Sequence, residues 1–293
     1  MAGSISLITP SYAGDFASCQ LLCASIDRFV TGHDMHYLVV GDEDEALFAG
    51  LAGTRRRIVP HSALLPRFWP AGRWRGRRYW WRPGTGLPVY GWHLQQLRKI
   101  AMTLAQESTR IMCIDSDNCF CRPLDLSELA ASEKVPLFLA PGDVGPERPS
   151  HVLWLENAHR LLGLAPPTSP ADDFIGQMIV WEREALAATT QKIESTTRRP
   201  WWAAMVRLRQ FSEYLIYGAA VTHDDALSAR HEPVTQSRCL TYWSGEALDE
   251  EGLVRFIDQL QPGQSAIAIQ SHTGTSVDLI RRSVLDTPQR VAL

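Results

Sequence analysis

The clearest absence in this 293-residue chain is negative charge over one stretch. No aspartate or glutamate occurs from residue 46 to residue 106, whereas 11 lysines and arginines lie there. The remaining residues hold 18 basic and 32 acidic groups. Because that remainder would repel a polyanion, generic nucleic-acid binding is not expected. The cationic stretch instead predicts a local anionic partner: a phosphate, a lipid headgroup or an anionic sugar.

Patterns that would indicate other classes of protein are missing too. No run of 18 apolar residues predicts a membrane span, and residues 1–10 lack the features of a secretory signal, so a cytoplasmic protein is expected. No G-x-G-x-x-G follows the first predicted strand, which disfavours a dinucleotide dehydrogenase. The six cysteines form no C-x-x-C pair, which predicts free buried thiols in a reducing compartment rather than a zinc site.

Strands and helices alternate through the first part of the chain. Apolar runs at 4–9, 35–40, 57–59 and 110–114 predict strands, and apolar spacing over 92–106 predicts a helix. Such alternation is typical of a mostly parallel sheet flanked by helices, so an α/β, Rossmann-like fold is expected. Later, 174–181 is predicted as a strand, and 200–218 as helical with a break near Gln210.

Residues 60–91 are predicted to form a long irregular segment. Loops of that length are usually functional. Its part 67–82 holds six arginines and four tryptophans, a composition that suits an anionic interface or acceptor. The alternative is a structured loop whose arginines stack on aromatic rings. The candidate acceptor-binding residues are Arg75, Arg77, Arg78, Trp80 and Trp81.

Asp115 and Asp117 follow the buried strand predicted at 110–114. Ligands of open α/β sheets bind where strands end, and two carboxylates at i and i+2 can turn towards one small cation. Oxygen ligands suit Mn²⁺ or Mg²⁺, which would bridge to a diphosphate. His272, between small residues, is a candidate third ligand. The alternatives are a solvated acidic turn and an ordinary loop histidine.

Polar side chains within two other apolar stretches are further candidates. Gln95, Gln96 and Lys99 share one face of the predicted helix, where they would hold phosphates or a sugar hydroxyl, or else face solvent. Glu213 lies among apolar and aromatic residues, a costly setting unless it is a base or forms a salt bridge, for which Arg207 and Arg209 are the nearest partners.

The segment at 172–177 supplies a second candidate base and a glycine. Asp173 is the alternative base, and Gly176 would allow a ligand to approach the backbone closely. A plain turn leading into a strand is the competing interpretation of this segment.

Four motifs together resemble the GT-A glycosyltransferases, and within them the bacterial DUF6492 family. They are T-P-S-Y at 9–12, G-W-H-L-Q-Q-L-R-K at 91–99, D-S-D at 115–117 and S-E-Y-L-I-Y-G at 212–218. The resemblance implies one GT-A-like domain over 1–293, with a nucleotide-binding half at 1–122 and an acceptor-binding half at 123–293.

The resemblance also implies an activity and residue roles. It implies transfer of a sugar from a nucleoside diphosphate sugar, with UDP expected, to a saccharide, lipid-linked or other hydroxyl acceptor, with Mn²⁺ or Mg²⁺ bound. Thr9, Tyr12 and Asp42 would contact the nucleoside, Asp115 the ribose or the metal, and Asp117 and His272 the metal. Glu213 falls where inverting members place a base, although the usual Glu-Asp pair is replaced here by S-E-Y.

Two alternatives stay open. One is a non-catalytic protein that binds a membrane surface or polyanion through 67–82 on a transferase-like fold, which would place it at the inner face of the membrane. The other is a sugar-phosphate nucleotidyltransferase, which needs a glycine-rich loop after the first strand, where this chain has only Gly14.

Overall fold

A computed structural model describes residues 3–75 and 77–286, excepting the side chain of Arg77. The strands are β1 (Ile5–Pro10), β2 (Val30–Thr31), β3 (His36–Val40), β4 (Arg56–Pro60), β5 (Trp69–Trp74), β6 (Arg77–Trp81), β7 (Val89–Tyr90), β8 (Arg110–Cys113), β9 (Asn118–Phe120), β10 (Leu124–Asp125), β11 (Val135–Phe138), β12 (Ala140–Val144), β13 (Ala171–Asp173), β14 (Ile179–Glu182), β15 (His231–Val234), β16 (Cys239–Tyr242) and β17 (Ala266–Ile269). The helices are α1 (Phe16–Phe29), α2 (Glu45–Phe48), α3 (Gly91–Ala105), α4 (Ser127–Ala131), α5 (Pro149–Leu162), α6 (Arg183–Thr197), α7 (Trp201–Leu208), α8 (Glu213–Thr222), α9 (Asp225–Ser228), α10 (Glu250–Ile257) and α11 (Val277–Arg281).

The central sheet has five strands in the order β14-β8-β1-β3-β4. Strands β8, β1, β3 and β4 are parallel, and β14 adds an antiparallel edge. The expected α/β fold with a mostly parallel, helix-flanked, Rossmann-like sheet is therefore confirmed. Because parallel strands point the same way, the residues after β1, β3 and β8 reach the same edge of the sheet.

Both faces of the central sheet are buried. Alternate residues of β8 face opposite sides: Ile111 lies in the apolar cluster formed with α3, α5, α6 and α8, whereas Met112 lies in the cluster formed with α1 and β17. Strands covered on both faces read as continuous apolar runs, which is why β1 and β8 were visible in the sequence. The six cysteines are free thiols, as expected, and five of them are buried.

The segment at 60–91 was predicted as irregular, and this prediction is wrong for residues 69–74, 77–81 and 89–90, which are strands. It forms a three-stranded antiparallel sheet in the order β5-β6-β7. Cross-strand pairs such as Trp69 with Trp81 stabilise it, and Gly72, at φ +104°, permits the shift in register within β5. The glycines and prolines suggested a loop, but the paired aromatic residues outweigh them.

The strand predicted at 174–181 is also wrong in its extent. Strand β13 ends at Asp173 and β14 begins at Ile179, with a loop between them. Met178 has a left-handed backbone (φ +56°), which interrupts the extended chain. That loop carries Gly176 and its neighbours to the candidate site. The break predicted near Gln210 is confirmed, because α7 ends at Leu208 and α8 begins at Glu213.

Candidate functional site

Two adjoining pockets lie where the parallel strands of the central sheet end. We call the smaller, of about 370 Å³, the Tyr12 pocket, and the larger, of about 800 Å³, the Asp115 pocket. Asp15, Trp92 and Gln95 line both pockets, which therefore share a wall. The expected position of a ligand in an open α/β sheet is this edge.

Lys99 lies in the Asp115 pocket with its side chain almost fully buried. Its ammonium nitrogen lies 2.8 Å from Asp115 Oδ1, 3.1 Å from Glu213 Oε1 and 2.9 Å from the Tyr214 hydroxyl. Burial alone would lower the pKa of Lys99, but the charges of Asp115, Tyr214 and Glu213 hold that pKa well above its usual range. Lys99 is therefore a buried cation that links α3, the end of β8 and α8.

Glu213 begins α8 and is buried. Its backbone N–H donates to Gln96 Oε1 at 3.0 Å, and its carboxylate accepts from Lys99. Burial raises the pKa of Glu213, and the charge of Lys99 offsets part of that rise. The salt bridge expected with Arg207 or Arg209 is not the one observed, because the turn at 209–212 separates α7 from α8 and directs Glu213 towards α3.

Asp117 lies beside two other carboxylates in the Asp115 pocket. Burial, and then the charges of Asp115 and Asp15, raise the pKa of Asp117 to about 7. Gln270 Nε2 donates to Asp117 Oδ2 at 2.7 Å, and Gln95 Nε2 donates to Asp115 Oδ1 at 3.2 Å. Sequence reasoning missed Asp15 and Gln270, which have no periodic or motif signal of their own. Together these side chains form a locally acidic site beside Lys99.

His272 does not line either pocket. It is exposed in the short turn after β17, whereas Gln270 and Ser271 of the same segment line the Asp115 pocket. Over residues 3–75 and 77–286, no group of three or more His, Cys, Asp or Glu side chains is placed to hold a metal ion. Proteins commonly bind Mg²⁺, however, through one or two carboxylates, with substrate phosphates as further ligands, and Asp115 and Asp117 fit that pattern.

The Tyr12 pocket is lined by three arginines. Arg98 of α3 is almost fully buried, and burial lowers its pKa to about 10, so it stays charged at neutral pH. Among the described residues no carboxylate forms an ion pair with its guanidinium, which donates instead to His61 Nδ1 at 3.3 Å and to the Ser11 carbonyl at 3.4 Å. Arg73 and Arg78 of the β5–β6 hairpin are exposed above it. The carboxylates of Asp15, Glu43 and Asp44 line the same pocket, and its three guanidinium groups provide donors for a phosphate group.

Two residues expected to contact the nucleoside do not line the Tyr12 pocket. Thr9 is buried inside β1, where its hydroxyl lies 3.0 Å from His36 Nε2. Asp42 is exposed and accepts a hydrogen bond from the backbone N–H of Ser62 at 2.9 Å. Its neighbour Asp44 lines the pocket instead, because the turn after β3 directs residues 43 and 44 towards it.

The candidate acceptor residues of the hairpin separate into two groups. Arg78 and Trp80 line the Tyr12 pocket. Arg75 lies at the hairpin turn with its guanidinium 4.8 Å from the Trp74 ring, and exposed Trp81 donates its indole N–H to the Gly86 carbonyl. Neither Arg75 nor Trp81 lines either pocket, and the side chain of Arg77 lies outside the description.

Asp173 lies on the wall of the Asp115 pocket contributed by the second half of the chain. Its Oδ2 is 2.6 Å from His151 Nδ1 and 3.7 Å from Arg148, and its Oδ1 accepts from the backbone N–H of Ile175 at 2.9 Å. His151 is the first histidine of α5, and its spacing from Asp173 gave no signal in the sequence. Residues from both predicted halves of the chain, 1–122 and 123–293, therefore line one pocket.

Gly176 also lines the Asp115 pocket. A Cβ atom at this position would lie 3.0 Å from the Phe138 ring. Close packing against β11 therefore favours glycine at this position. The absence of a side chain also leaves the backbone of residue 176 accessible from the pocket.

The fold and the paired pockets define a Rossmann-like α/β protein with two adjoining pockets at the strand ends, one rich in carboxylates and one lined by three arginines and three carboxylates. The chain belongs to the family described as "Family of unknown function (DUF6492)", whose profile matches residues 4–288. Comparison with curated proteins gave no match. Among the helices of the described residues, none is both long and apolar enough to cross a membrane.

Proposed function

We propose that this protein transfers a sugar from a nucleoside diphosphate sugar, UDP-linked, to a hydroxyl acceptor that is a saccharide or a lipid-linked sugar. The observation that carries the proposal is the pair of adjoining pockets, one lined by three arginines and the other rich in carboxylates, sharing the wall at Asp15 and Gln95. A donor of this kind has an anionic diphosphate between a nucleoside and a sugar. It would therefore span both pockets.

The Tyr12 pocket supports binding of the nucleoside diphosphate. The Tyr12 and Trp80 rings offer faces for a base to stack on, and buried Arg98 provides a fixed positive charge for a phosphate. Arg73 and Arg78 add charge from the hairpin side. The acid-free stretch from residue 46 to residue 106 thus contributes three of its arginines to this pocket.

The Asp115 pocket supports a divalent cation, Mn²⁺ or Mg²⁺, with Asp115 and Asp117 as its protein ligands. A bound cation would neutralise charge on the leaving diphosphate. Burial is the main cause of the raised pKa of Asp117, and the charges of Asp115 and Asp15 add to it, only partly offset by Lys99. Lys99 holds Asp115 in place, and Gln270 orients Asp117, so both carboxylates are positioned in advance.

Aromatic side chains support a sugar acceptor in the Asp115 pocket. Trp92 and Trp154 pack with their ring centroids 5.0 Å apart, and His151 lies 4.9 Å from Trp154 in a stacked arrangement. Trp243, which is half exposed, lines the same pocket. The C–H faces of sugar rings pack well against such aromatic surfaces, while hydroxyls bind nearby polar groups.

The proposal is tested by incubating the wild-type protein with a panel of nucleoside diphosphate sugars and Mn²⁺ or Mg²⁺. We expect release of the nucleoside diphosphate from one donor, and a rise in melting temperature with the matching nucleoside diphosphate plus cation. Neither turnover nor a melting shift with any member of the panel would refute the proposal.

Arg78 and Arg75 provide a matched pair of variants in one hairpin. Because Arg78 lines the Tyr12 pocket, Arg78→Ser should raise the donor KM by about tenfold, the loss of one exposed charge-assisted hydrogen bond. Arg75→Ser removes a guanidinium that stacks on Trp74 away from both pockets, and should leave the donor KM within about twofold. Equal effects of the two substitutions on steady-state kinetics would contradict this assignment.

The exposed tip of the hairpin favours a second candidate function, binding to an anionic membrane surface. Trp74 is 61% exposed beside Arg75 at the tip, and Trp69, at the other end of β5, is 42% exposed. Tryptophan with arginine suits the headgroup region. Cosedimentation with anionic vesicles by a protein that turns over no donor would favour this candidate. Donor turnover together with vesicle binding would instead place the transferase at the membrane face.

A further inference from the structure

The pair His151–Asp173 has the geometry of an oriented base. Asp173 is buried, and its Oδ2 lies 2.6 Å from His151 Nδ1. A carboxylate can only accept at that contact, so the proton of a neutral imidazole is held on Nδ1 and the lone pair lies on Nε2. Among the described residues none hydrogen-bonds Nε2, and His151 lines the Asp115 pocket.

The imidazole is also fixed in place by its neighbours. It stacks on the Trp154 ring at 4.9 Å, and Asp173 is itself held by the Ile175 backbone N–H. The charged groups beside it are Asp173 on β13, Arg148 just before α5, and Asp143 on β12, which pairs with Arg148 at 2.9 Å. Because Asp143 neutralises much of the charge of Arg148, Asp173 remains able to stabilise an imidazolium.

Glu213 is arranged differently, although its place in the sequence suggested a base. Its carboxylate is ion-paired with Lys99 at 3.1 Å, both side chains are almost fully buried, and the ammonium already serves two carboxylates. A carboxylate that takes a proton here would leave Lys99 with only Asp115 as a counter-charge. Although burial raises the pKa of Glu213, the ion pair gives this carboxylate a structural role, which is to position Lys99.

We infer that His151, oriented by Asp173, is the general base that deprotonates the acceptor, and that the reaction inverts the anomeric configuration. This inference rests on the proposed sugar transfer. The acceptor oxygen forms a bond to the anomeric carbon, the bond from that carbon to the diphosphate oxygen breaks, and the nucleoside diphosphate leaves with the electron pair. The acceptor proton passes to His151 Nε2 and then to water. Asp173 acts as a positioning residue.

The test uses the donor that the panel identifies, with water as the acceptor. His151→Gln should slow release of the nucleoside diphosphate about 100-fold or more, the usual contribution of a general base, with the donor KM little changed. With the cation saturating at every pH, so that protonation of Asp117 does not limit the rate, wild type should lose activity towards acid pH because a protonated imidazole cannot accept a proton. This acid limb should be absent from His151→Gln. Asp173→Asn should lower kcat with little change in donor KM.

Two variants and one product measurement complete the test. The Glu213→Gln variant should keep the acid limb of the pH profile. If Glu213 were the general base, this variant would lack that limb. His223→Gln, an exposed histidine outside both pockets, controls for general effects of the substitution and should match wild type. Proton NMR of freshly released sugar should show the inverted anomer.

The outcomes separate this inference from the proposed function. A wild-type protein that releases no nucleoside diphosphate from any donor overturns both. Turnover with a His151→Gln rate within about threefold of wild type and an intact acid limb overturns the role of His151 alone. A retained anomer likewise overturns the inference and leaves the transferase proposal standing.

Discussion

Replacing Lys99 by methionine should lower the free energy of unfolding by about 3–5 kcal/mol, the cost of removing one partner from a buried ion pair. The ammonium is the counter-charge for both Asp115 and Glu213, and Glu213 is as deeply buried as Lys99 itself. Without it, two carboxylates would share the pocket with Asp117 and Asp15. Urea denaturation followed by circular dichroism measures this loss.

Two further variants show whether the loss comes from the ion pair. Lys99→Met combined with Glu213→Gln should recover part of the stability, because the double variant leaves one buried carboxylate fewer without a partner. Lys192→Met, which removes an exposed lysine from helix α6, should change stability by no more than about 0.5 kcal/mol. A Lys99→Met protein as stable as Lys192→Met would show that the cluster does not hold the pocket together.

Replacing Asp117 by asparagine should abolish the response to the cation without unfolding the protein. Asparagine has nearly the same shape, and its side-chain oxygen can still accept from Gln270 Nε2, so the pocket should keep its form. The lost charge, however, removes one of the two carboxylate ligands of the proposed cation. We expect donor turnover to fall at least about 100-fold, and the melting shift with nucleoside diphosphate plus Mn²⁺ to disappear.

The apo form of this variant provides an internal check. Because Asp15 and Asp115 repel the Asp117 charge, removing that charge should leave the apo protein at least as stable as wild type. Asp258→Asn, at an exposed site just after α10, should retain both turnover and melting shift. Turnover by Asp117→Asn at the wild-type rate would rule out a cation held by this residue.

Local patterns in the sequence were sufficient for the parallel strands of the central sheet, although not for the extent of β14 at its edge. The apolar runs of β1, β3 and β8 are continuous because both faces of each strand are covered, and α3 showed its helical spacing. Since a buried strand delivers whatever follows it to the sheet edge, Asp115 and Asp117 could be placed in a pocket in advance. Lys99 was selected by the same helical spacing.

Only the tertiary structure decided which polar groups meet. Lys99 and Glu213 are 114 residues apart, Asp117 and Gln270 are 153 apart, and His151 and Asp173 are 22 apart. No local spacing encodes such pairs, which is why Arg207 or Arg209 was expected beside Glu213, and His272 where Gln270 lies. The 60–91 segment shows the same limit, because its strands depend on cross-strand pairing that composition does not reveal.

The sequence by itself determined the α/β architecture, the acidic edge after β8 and the cationic character of the stretch from residue 46 to residue 106. The tertiary structure decided that Arg73, Arg78 and Arg98 of that stretch line one pocket, and that Lys99 neutralises carboxylates in the next. The physical reason is that the alternation of buried and exposed residues repeats every few residues along the chain, so it is visible in the sequence. Charge pairing, in contrast, is settled by distances of a few ångströms between segments far apart in sequence.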